Sequence, residues 1–311
     1  MRTADALIYD RRMPGADEEV RLLVPPQPGD DDVHAVLTPC RFHAPSDLGL
    51  ERTHGRGRVH VTAGSGVGEL YQEGALRLRP LRRPDRIIEV VAINTAGGLT
   101  GGDQLDLAVR IDAEASAVVT TAACEKIYRS AGGDAVVQSA VAVASRGRLD
   151  WLPQPMILFD GARVRRTLTV AIASGATLLA IEGVILGRTA MGEDLRSASV
   201  CDRWRVQRDG ALIHADAFRA EGDLRGDLSS CAALAGARAF ATALYVAPDA
   251  EQRLDMARDA LRSCAGETGA SAWNGLLAVR FLAADGQMLI SDVSQFLLAF
   301  RAAPLPRSWL C

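Results

Sequence analysis

A strand–turn–strand pattern that recurs through the middle of the chain limits the possible folds more than any other feature of the sequence. Each unit joins two short apolar runs through a turn that contains a small residue or a glycine. The paired runs are 107–111 with 118–120, 141–143 with 149–151, and 168–172 with 178–181. Units that recur roughly every thirty residues are typical of stacked β architectures. We therefore predict an all-β (mainly β) fold whose strands stack in a β-helix-like or two-sheet arrangement.

The segments that flank the repeat divide the chain into two parts. Residues 1–50 combine clustered prolines with three consecutive aspartates, which is turn and loop chemistry. We expect them to form a poorly ordered N-terminal extension with a short strand at 20–24. Residues 51–311 are expected to form a single β domain.

Turn and cap signals predict further elements in the C-terminal third. Asp209-Gly210 and Asp285-Gly286 each lie between apolar runs, a pattern that indicates a β-hairpin. About two short helices are predicted toward the C-terminus. Their expected limits are 248–264 with Asp249 as the N-cap, and 293–301 with Asp292 as the N-cap.

The composition excludes several classes of protein. The chain has 311 residues and is 48% hydrophobic, which excludes an intrinsically disordered protein. Its formal net charge of −3 does not favour nucleic-acid binding, which requires a basic excess. The six cysteines form no Cys-x-x-Cys pair, which does not favour a redox or zinc motif. The sequence also contains no secretory h-region and no apolar run of ~18 residues that would predict a membrane span. We expect a cytoplasmic protein that binds neither nucleic acid nor membrane.

The glycine stretch, residues 94–103, reads Asn-Thr-Ala-Gly-Gly-Leu-Thr-Gly-Gly-Asp and lies between two apolar runs. Its two Gly-Gly pairs indicate positive φ angles or close approach of the backbone to other groups. The order does not match a phosphate-binding loop, which requires a lysine after the last glycine, or a dinucleotide fingerprint, which opens a helix. We interpret the stretch as a shaped turn in which Asn94 and Asp103 bond the turn's own backbone.

Glu182 is the most unusual carboxylate because it interrupts an apolar run. A charge in such a run must be paired, protonated or in contact with water. One interpretation is an ion pair with an arginine, for which Arg188 is an example. The other is a carboxylate that lines an internal polar passage. No pattern of nucleophile and base or of clustered metal ligands is present, so no catalytic residues are predicted.

Five motifs stand in a fixed order along the chain. They are Leu-Tyr-Gln-Glu-Gly-Ala-Leu-Arg at 70–77, the glycine stretch, Thr-Thr with Lys-Ile-Tyr-Arg-Ser at 120–130, Trp-Leu-Pro-Gln through Phe-Asp-Gly-Ala-Arg at 151–163, and the segment 182–193 with Leu-Gly-Arg-Thr-Ala-Met-Gly-Glu. Together they resemble the UreD family, called UreH in some organisms, of urease accessory proteins. The sequence departs from the family pattern at Thr95-Ala96, where the family usually has a proline.

The resemblance implies a non-enzymatic scaffold and nickel relay that helps to mature apo-urease. The implied partners are UreF-like and UreG-like (GTPase) accessory proteins and apo-urease, and a dimer formed through the UreF-like partner is a further expectation. Nickel would be in transit, with no tightly bound cofactor. Glu182 and Asp103 are the candidate transient metal contacts. The candidates for structural or partner-binding roles are Asn94, Gly97, Gly98, Gly101, Gly102, Asp103, Tyr128, Arg129, Gln154, Phe159, Asp160, Arg163, Gly187, Arg188 and Glu193.

Two other functions stay open on the residues alone. A carboxylate-dependent hydrolase could use Asp103 and Glu182 as acid and base, which requires both carboxylates in one pocket. An all-β small-ligand-binding protein would instead have a closed pocket.

Overall fold

A computed structural model describes residues 51–310 except 65, 84, 86, 189–191, 194 and 231–232. The predicted N-terminal extension and its strand at 20–24 lie outside the described residues. All structural statements below concern the described part of the chain.

Seventeen strands and three α-helices make up the described structure. In chain order they are β1 (His54–Thr62), β2 (Gly66–Gly74), β3 (Leu76–Arg82), β4 (Ile88–Asn94), β5 (Gln104–Ile111), β6 (Ser116–Thr121), β7 (Glu125–Ile127), β8 (Ala135–Val143), β9 (Arg148–Leu152), β10 (Met156–Leu158), β11 (Ala162–Ile172), β12 (Thr177–Leu186), β13 (Ser197–Arg208), β14 (Ala211–Asp223), α1 (Leu224–Ser229), β15 (Ala239–Val246), α2 (Leu254–Leu261), β16 (Glu267–Trp273), β17 (Leu276–Ala283) and α3 (Gly286–Arg301). Short 3₁₀ helices cover Glu251–Arg253 and Arg307–Trp309.

The strands form two sheets that share a stacked parallel centre. The first sheet has the order β14-β13-β11-β8-β5-β1-β2. The second has the order β16-β17-β15-β12-β9-β6-β4-β3, and in addition β10 pairs with β12 and β7 pairs with β10. Neighbours from β1 to β13 in the first sheet are parallel, as are those from β4 to β12 in the second. Antiparallel strands extend both sheets at their ends. The prediction of an all-β fold with stacked strands is confirmed.

The same turn joins the sheets in each repeat. The β5–β6, β8–β9 and β11–β12 connections each close with a hydrogen bond from an N–H to the carbonyl three residues earlier. The residue before each donor has positive φ: Glu114 (62°), Arg146 (59°) and Gly175 (77°). Only one of these three positions is a glycine, so the sequence shows the repeat through its apolar runs more clearly than through its turns.

Two apolar layers enclose the second sheet. One fills the space between the sheets, with Val119, Leu149, Leu168 and Leu178 among its members. The other packs α2 and α3 against the outer face of the second sheet and includes Phe296. Because β12 lies between the two layers, nearly all of its residues are buried. Its continuous apolar run is therefore typical of a strand covered on both faces.

The predicted hairpin at Asp209-Gly210 is confirmed, but the one at Asp285-Gly286 is wrong. Asp285 is the N-cap of α3, and its side chain accepts a hydrogen bond from the N–H of Met288. The helix therefore begins seven positions before the predicted 293. Asp292 lies inside it, where its carboxylate accepts from the N–H groups of Ala265 and Gly266.

The first predicted helix is also shorter than expected. Only Leu254–Leu261 is α-helical within the predicted 248–264. Asp249 is not its cap, because its carboxylate binds the hydroxyl of Tyr245 and the guanidinium of Arg253 instead.

None of the helices in the described residues combines the length and the apolar character that a membrane span needs.

Candidate functional site

The glycine stretch is a turn whose polar ends bond the backbone, as the sequence analysis predicted. The side chain of Asn94 accepts a hydrogen bond from the N–H of Ala96 at 3.0 Å. The two carboxylate oxygens of Asp103 accept from the N–H groups of Thr100 and Thr53, each at 2.8 Å. Both oxygens of this buried carboxylate are thus engaged with the backbone, and they hold the turn to the residue that precedes β1.

Gly98 allows the turn to approach Tyr128 closely. Its φ is 152°, and a Cβ atom at this position would lie 2.3 Å from Cε2 of Tyr128 and 2.9 Å from the carbonyl oxygen of Lys126. The hydroxyl of Tyr128 donates to the carbonyl of Gly97 at 3.0 Å. A side chain at Gly98 would therefore displace the tyrosine that the turn holds.

Three further glycines of the motifs are also constrained. One has no space for a side chain, and the other two have a positive φ. A Cβ on Gly101 would meet the Ser130 hydroxyl at 2.0 Å, and φ is 91° at Gly102 and 79° at Gly187. The motifs that are distant in sequence thus converge on one end of the stacked strands.

The converged motifs present a surface of aromatic and charged side chains, some of them exposed and some half-buried. We call it the Tyr128 surface; its members are Tyr128, Arg129, Phe159, Asp160, Arg188 and Glu193. The rings of Tyr128 and Phe159 meet edge to face with centroids 4.9 Å apart. The guanidinium of Arg188 lies 4.2 Å from the centroid of the Phe159 ring, within the range of a cation–π contact.

Ion pairs fix the charged members of the Tyr128 surface. Arg188 donates through Nε to Glu193 at 2.8 Å, and this hydrogen bond lowers the pKa of Glu193. Asp160 accepts from the N–H groups of Ser197 and Arg196, which lower its pKa, and it also pairs with Arg129. Both carboxylates are ionised at neutral pH, so the surface carries two formal charges of each sign.

Two other motif residues lie outside the Tyr128 surface. Gln154 is buried, where its side chain donates to the carbonyl of Ser308 and its N–H donates to the hydroxyl of Thr121. It therefore ties the C-terminal segment to the second sheet. Arg163 pairs with Asp134 at 3.2 Å on the outer face of the first sheet.

Glu182 is a member of a buried charged cluster between the sheets. Its carboxylate accepts hydrogen bonds from the indole N–H of Trp151 at 3.2 Å and of Trp204 at 3.0 Å. Nε of Arg166 lies 3.2 Å from the same carboxylate and also donates to Asp202 at 3.1 Å. The suggested partner Arg188 was wrong, because that residue pairs with Glu193.

The surroundings of Glu182 place its proton equilibrium near neutrality. Burial raises the pKa of Glu182, Arg166 lowers it, Asp202 raises it, and the two indoles lower it, with a result of about 7. Burial lowers the pKa of Arg166, but the charges of Asp202 and Glu182 raise it further, so Arg166 stays protonated. The cluster can therefore hold or release one proton at Glu182 while Arg166 remains a cation.

The buried cluster borders a cavity of about 320 Å³. We call it the Glu182 cavity; its polar lining comes from Glu182, Asp202, Asp216, Thr242 and Arg280, and its apolar lining includes Phe218 and Phe240. In the described residues, no group of three or more His, Cys, Asp or Glu side chains is arranged to hold a metal ion. The available donors are oxygen atoms, which suit a hard or borderline cation held weakly.

The proposed acid–base pair is not assembled in this cavity. Asp103 is absent from the residues that line it, and both oxygens of Asp103 are bonded to backbone N–H groups elsewhere. Arg166, Asp202 and the two tryptophans were not predicted from the sequence. The sequence does contain an indication for Arg166. Along β11 every second residue is buried, and Arg166 occupies one of these positions, between the buried Val164 and Leu168.

These features define a class of protein: a two-sheet stacked-β domain with a buried carboxylate cavity and a separate exposed surface built from glycine-shaped turns. The chain belongs to the UreD family, because the family model described as UreD urease accessory protein matches residues 53–310.

Individual relatives agree with this assignment. The chain is 48% identical over 262 residues to the urease accessory protein UreD of Azorhizobium caulinodans, with 83% of this chain and 97% of the relative covered. It is 46% identical over 262 residues to UreD of Xanthobacter autotrophicus, with 83% and 90% covered. It is 43% identical over 269 residues to UreD of a Methylobacterium species, with 83% and 95% covered.

Proposed function

We propose that this protein is a non-catalytic scaffold and nickel relay in the maturation of urease. The observation that carries the proposal is Glu182, a carboxylate with a pKa of about 7 that borders a cavity between the two sheets. Nickel is the cargo in this proposal and not a resident cofactor.

The donor set of the Glu182 cavity supports transfer more than storage. A closed site of cysteine and histidine ligands would bind nickel tightly, whereas a few oxygen donors bind it weakly enough for release. Arg166 competes with a cation for the carboxylates of Glu182 and Asp202, which weakens metal binding further. Protonation of Glu182 near neutral pH would also favour release.

The Tyr128 surface supports a scaffold role. It combines exposed aromatic and arginine side chains, which are enriched at protein interfaces. We propose that it contacts UreF-like or UreG-like accessory proteins or apo-urease in the cytoplasm. The hydrogen bond from Tyr128 to Gly97 and the two ion pairs hold its side chains in one arrangement, which lowers the cost of ordering them on binding.

The test is nickel loading of apo-urease with the complete set of accessory proteins. Glu182→Gln keeps the size of the side chain and removes its charge, and we expect it to lower nickel per urease active site while co-purification with the partners stays normal. Glu89→Gln is the matched control, since Glu89 is buried and paired with Arg83 but does not line the cavity.

Normal nickel content with Glu182→Gln would overturn the relay. Failure of the wild-type chain to co-purify with urease or accessory proteins would overturn the scaffold. A hydrolytic activity that Glu182→Gln abolishes would instead support the enzyme hypothesis.

A further inference from the structure

A row of side chains leads from the protein surface to Glu182. In the second sheet Glu182 on β12 lies opposite Thr242 on β15, and Thr242 lies opposite Arg280 on β17. Residues directly opposite each other on adjacent strands point to the same face and lie ~5 Å apart. The three side chains therefore form a straight polar row on the face that looks toward the first sheet.

The row passes from the interior to solvent. The side chain of Glu182 is 3% exposed, whereas that of Arg280 is 51% exposed. All three residues line the Glu182 cavity, so the row runs along the cavity wall from its buried end at Glu182 to its exposed end at Arg280.

Arg280 bridges the two sheets at the exposed end of the row. Its guanidinium lies 2.6 Å from the carboxylate of Asp216 on β14 of the first sheet, and it also donates to the hydroxyl of Thr242. Asp216 lies opposite Trp204, the residue whose indole binds Glu182. The bridge thus spans the gap between the edge of the first sheet and the row that ends at Glu182.

We infer that Arg280 is the gate of the Glu182 cavity, and that a divalent cation enters only by displacing its guanidinium from Asp216 and Thr242. This inference rests on the proposed function, because it assigns a control residue to the same route. The displaced side chain has a place to go, since half of it already contacts solvent. Arg166 cannot act in this way because it is buried beside Glu182 and Asp202.

The formal charges around the cavity show how Arg280 would affect the binding of a cation. Three carboxylates line the cavity, Glu182, Asp202 and Asp216. They pair with two guanidiniums: that of Arg280, which also lines the cavity, and that of Arg166, which contacts Glu182 and Asp202. With both arginines in place and all carboxylates ionised the cavity has a net formal charge of −1. Removal of Arg280 makes it −2 and exposes two oxygen donors, so the cavity would hold a divalent cation more firmly and release it more slowly.

The test is binding of Ni²⁺ alone to the purified full-length chain at pH 7.5, by competition with a chromophoric chelator. Arg280→Gln is expected to raise the affinity for Ni²⁺ about tenfold through the change of one unit of cavity charge. Arg280→Met is a second neutral variant of similar length. The matched control is Arg110→Gln, because Arg110 also lies on a strand, is 61% exposed and pairs with an aspartate, Asp112, outside the cavity.

A second measurement ties the effect to the route. In a chain that already carries Glu182→Gln, the gain from Arg280→Gln is expected to shrink, because the inner end of the row is lost. Equal Ni²⁺ affinity of the wild type and both neutral variants would overturn the gate. An equal gain from Arg110→Gln would also overturn it, since a change of overall charge would then suffice.

Failure of the gate and failure of the relay give different results. If Glu182→Gln lowers nickel loading of urease but the Arg280 variants match the wild type in binding and in loading, the gate alone is wrong. If Glu182→Gln leaves loading unchanged, the relay is wrong whatever the Arg280 variants do.

Discussion

Replacement of Glu182 by glutamine is expected to change how the stability of the protein depends on pH. In the folded chain burial raises the pKa of Glu182 to about 7, from a usual value of 4.5. A raised folded-state pKa means that the protonated carboxyl contributes stability in full below pH 4.5. That stability is lost as the pH rises through 7, because the folded chain must then bury a charge that the unfolded chain exposes to water.

The magnitude follows from the same two values. One pKa unit corresponds to about 1.4 kcal/mol, so the difference between 4.5 and about 7 gives about 3 kcal/mol of unfolding free energy lost between pH 4 and pH 8. The charged groups that face Glu182 are Arg166 and Asp202, and both stay in the variant. Glutamine does not titrate, so this component disappears in Glu182→Gln.

The assay is urea denaturation of the wild type and the variant at intervals from pH 4.5 to pH 8. The difference between the two unfolding free energies isolates Glu182 from all other titrating groups, and it should favour the variant increasingly as the pH rises. Glu193→Gln is a control of opposite sign, because the bond from Arg188 lowers the pKa of Glu193 and its contribution is lost as the pH falls. A constant difference between Glu182→Gln and wild type would refute a buried carboxylate with a raised pKa.

Three further substitutions test the packing and the caps. Gly98→Val is expected to lower the unfolding free energy by about 3 kcal/mol or more, because its Cβ would overlap Tyr128 and its φ is positive; normal soluble yield and denaturation would contradict this. Arg301→Met is expected to cost about 2–3 kcal/mol in the same assay, since it removes the 2.8 Å partner of the buried Asp150 carboxylate and leaves it only Arg148 at 3.4 Å, and Asp150→Asn in addition should recover part of the loss. Asp285→Ala should cost about 1 kcal/mol through loss of the α3 cap, whereas Asp285→Asn should cost little.

The sequence predicts the strands of this fold well because the residues that form them repeat. The apolar runs at 141–143 and 168–172 fall inside β8 and β11, and their roughly thirty-residue spacing is one complete turn of the stack. The α3 boundary was missed for a local reason. Asp285-Gly286 is equally compatible with a hairpin turn and with a helix N-cap, and only the packing of Phe296 and Phe300 against the second sheet decides between them.

The candidate site was only partly accessible from the sequence. Glu182 was found because a charge in an apolar run needs a physical explanation. Its partner Arg166 was not found, because the pairing depends on how one sheet faces the other across the core. Sequence periodicity gives the register within a sheet, but not the relation between two facing sheets. Arg188 is six positions from Glu182 in sequence, yet it lies past the end of β12 and belongs to the Tyr128 surface.

The position of β12 explains how one domain could separate the proposed partner-binding surface from the proposed cation route. Glu182 lies near the middle of this strand, and Arg188 follows its end by two residues. At ~3.3 Å per residue the strand alone places Leu186, its last residue, about 13 Å from Glu182. Because β12 is hydrogen-bonded to neighbours on both sides and covered on both faces, it is a rigid spacer. Sites at this distance with no shared contact change stability and binding additively. If both proposals hold, a loss of partner binding at the Tyr128 surface and a loss of cation binding at Glu182 are expected to be distinct defects, so variants at the two places can distinguish a scaffold from a relay.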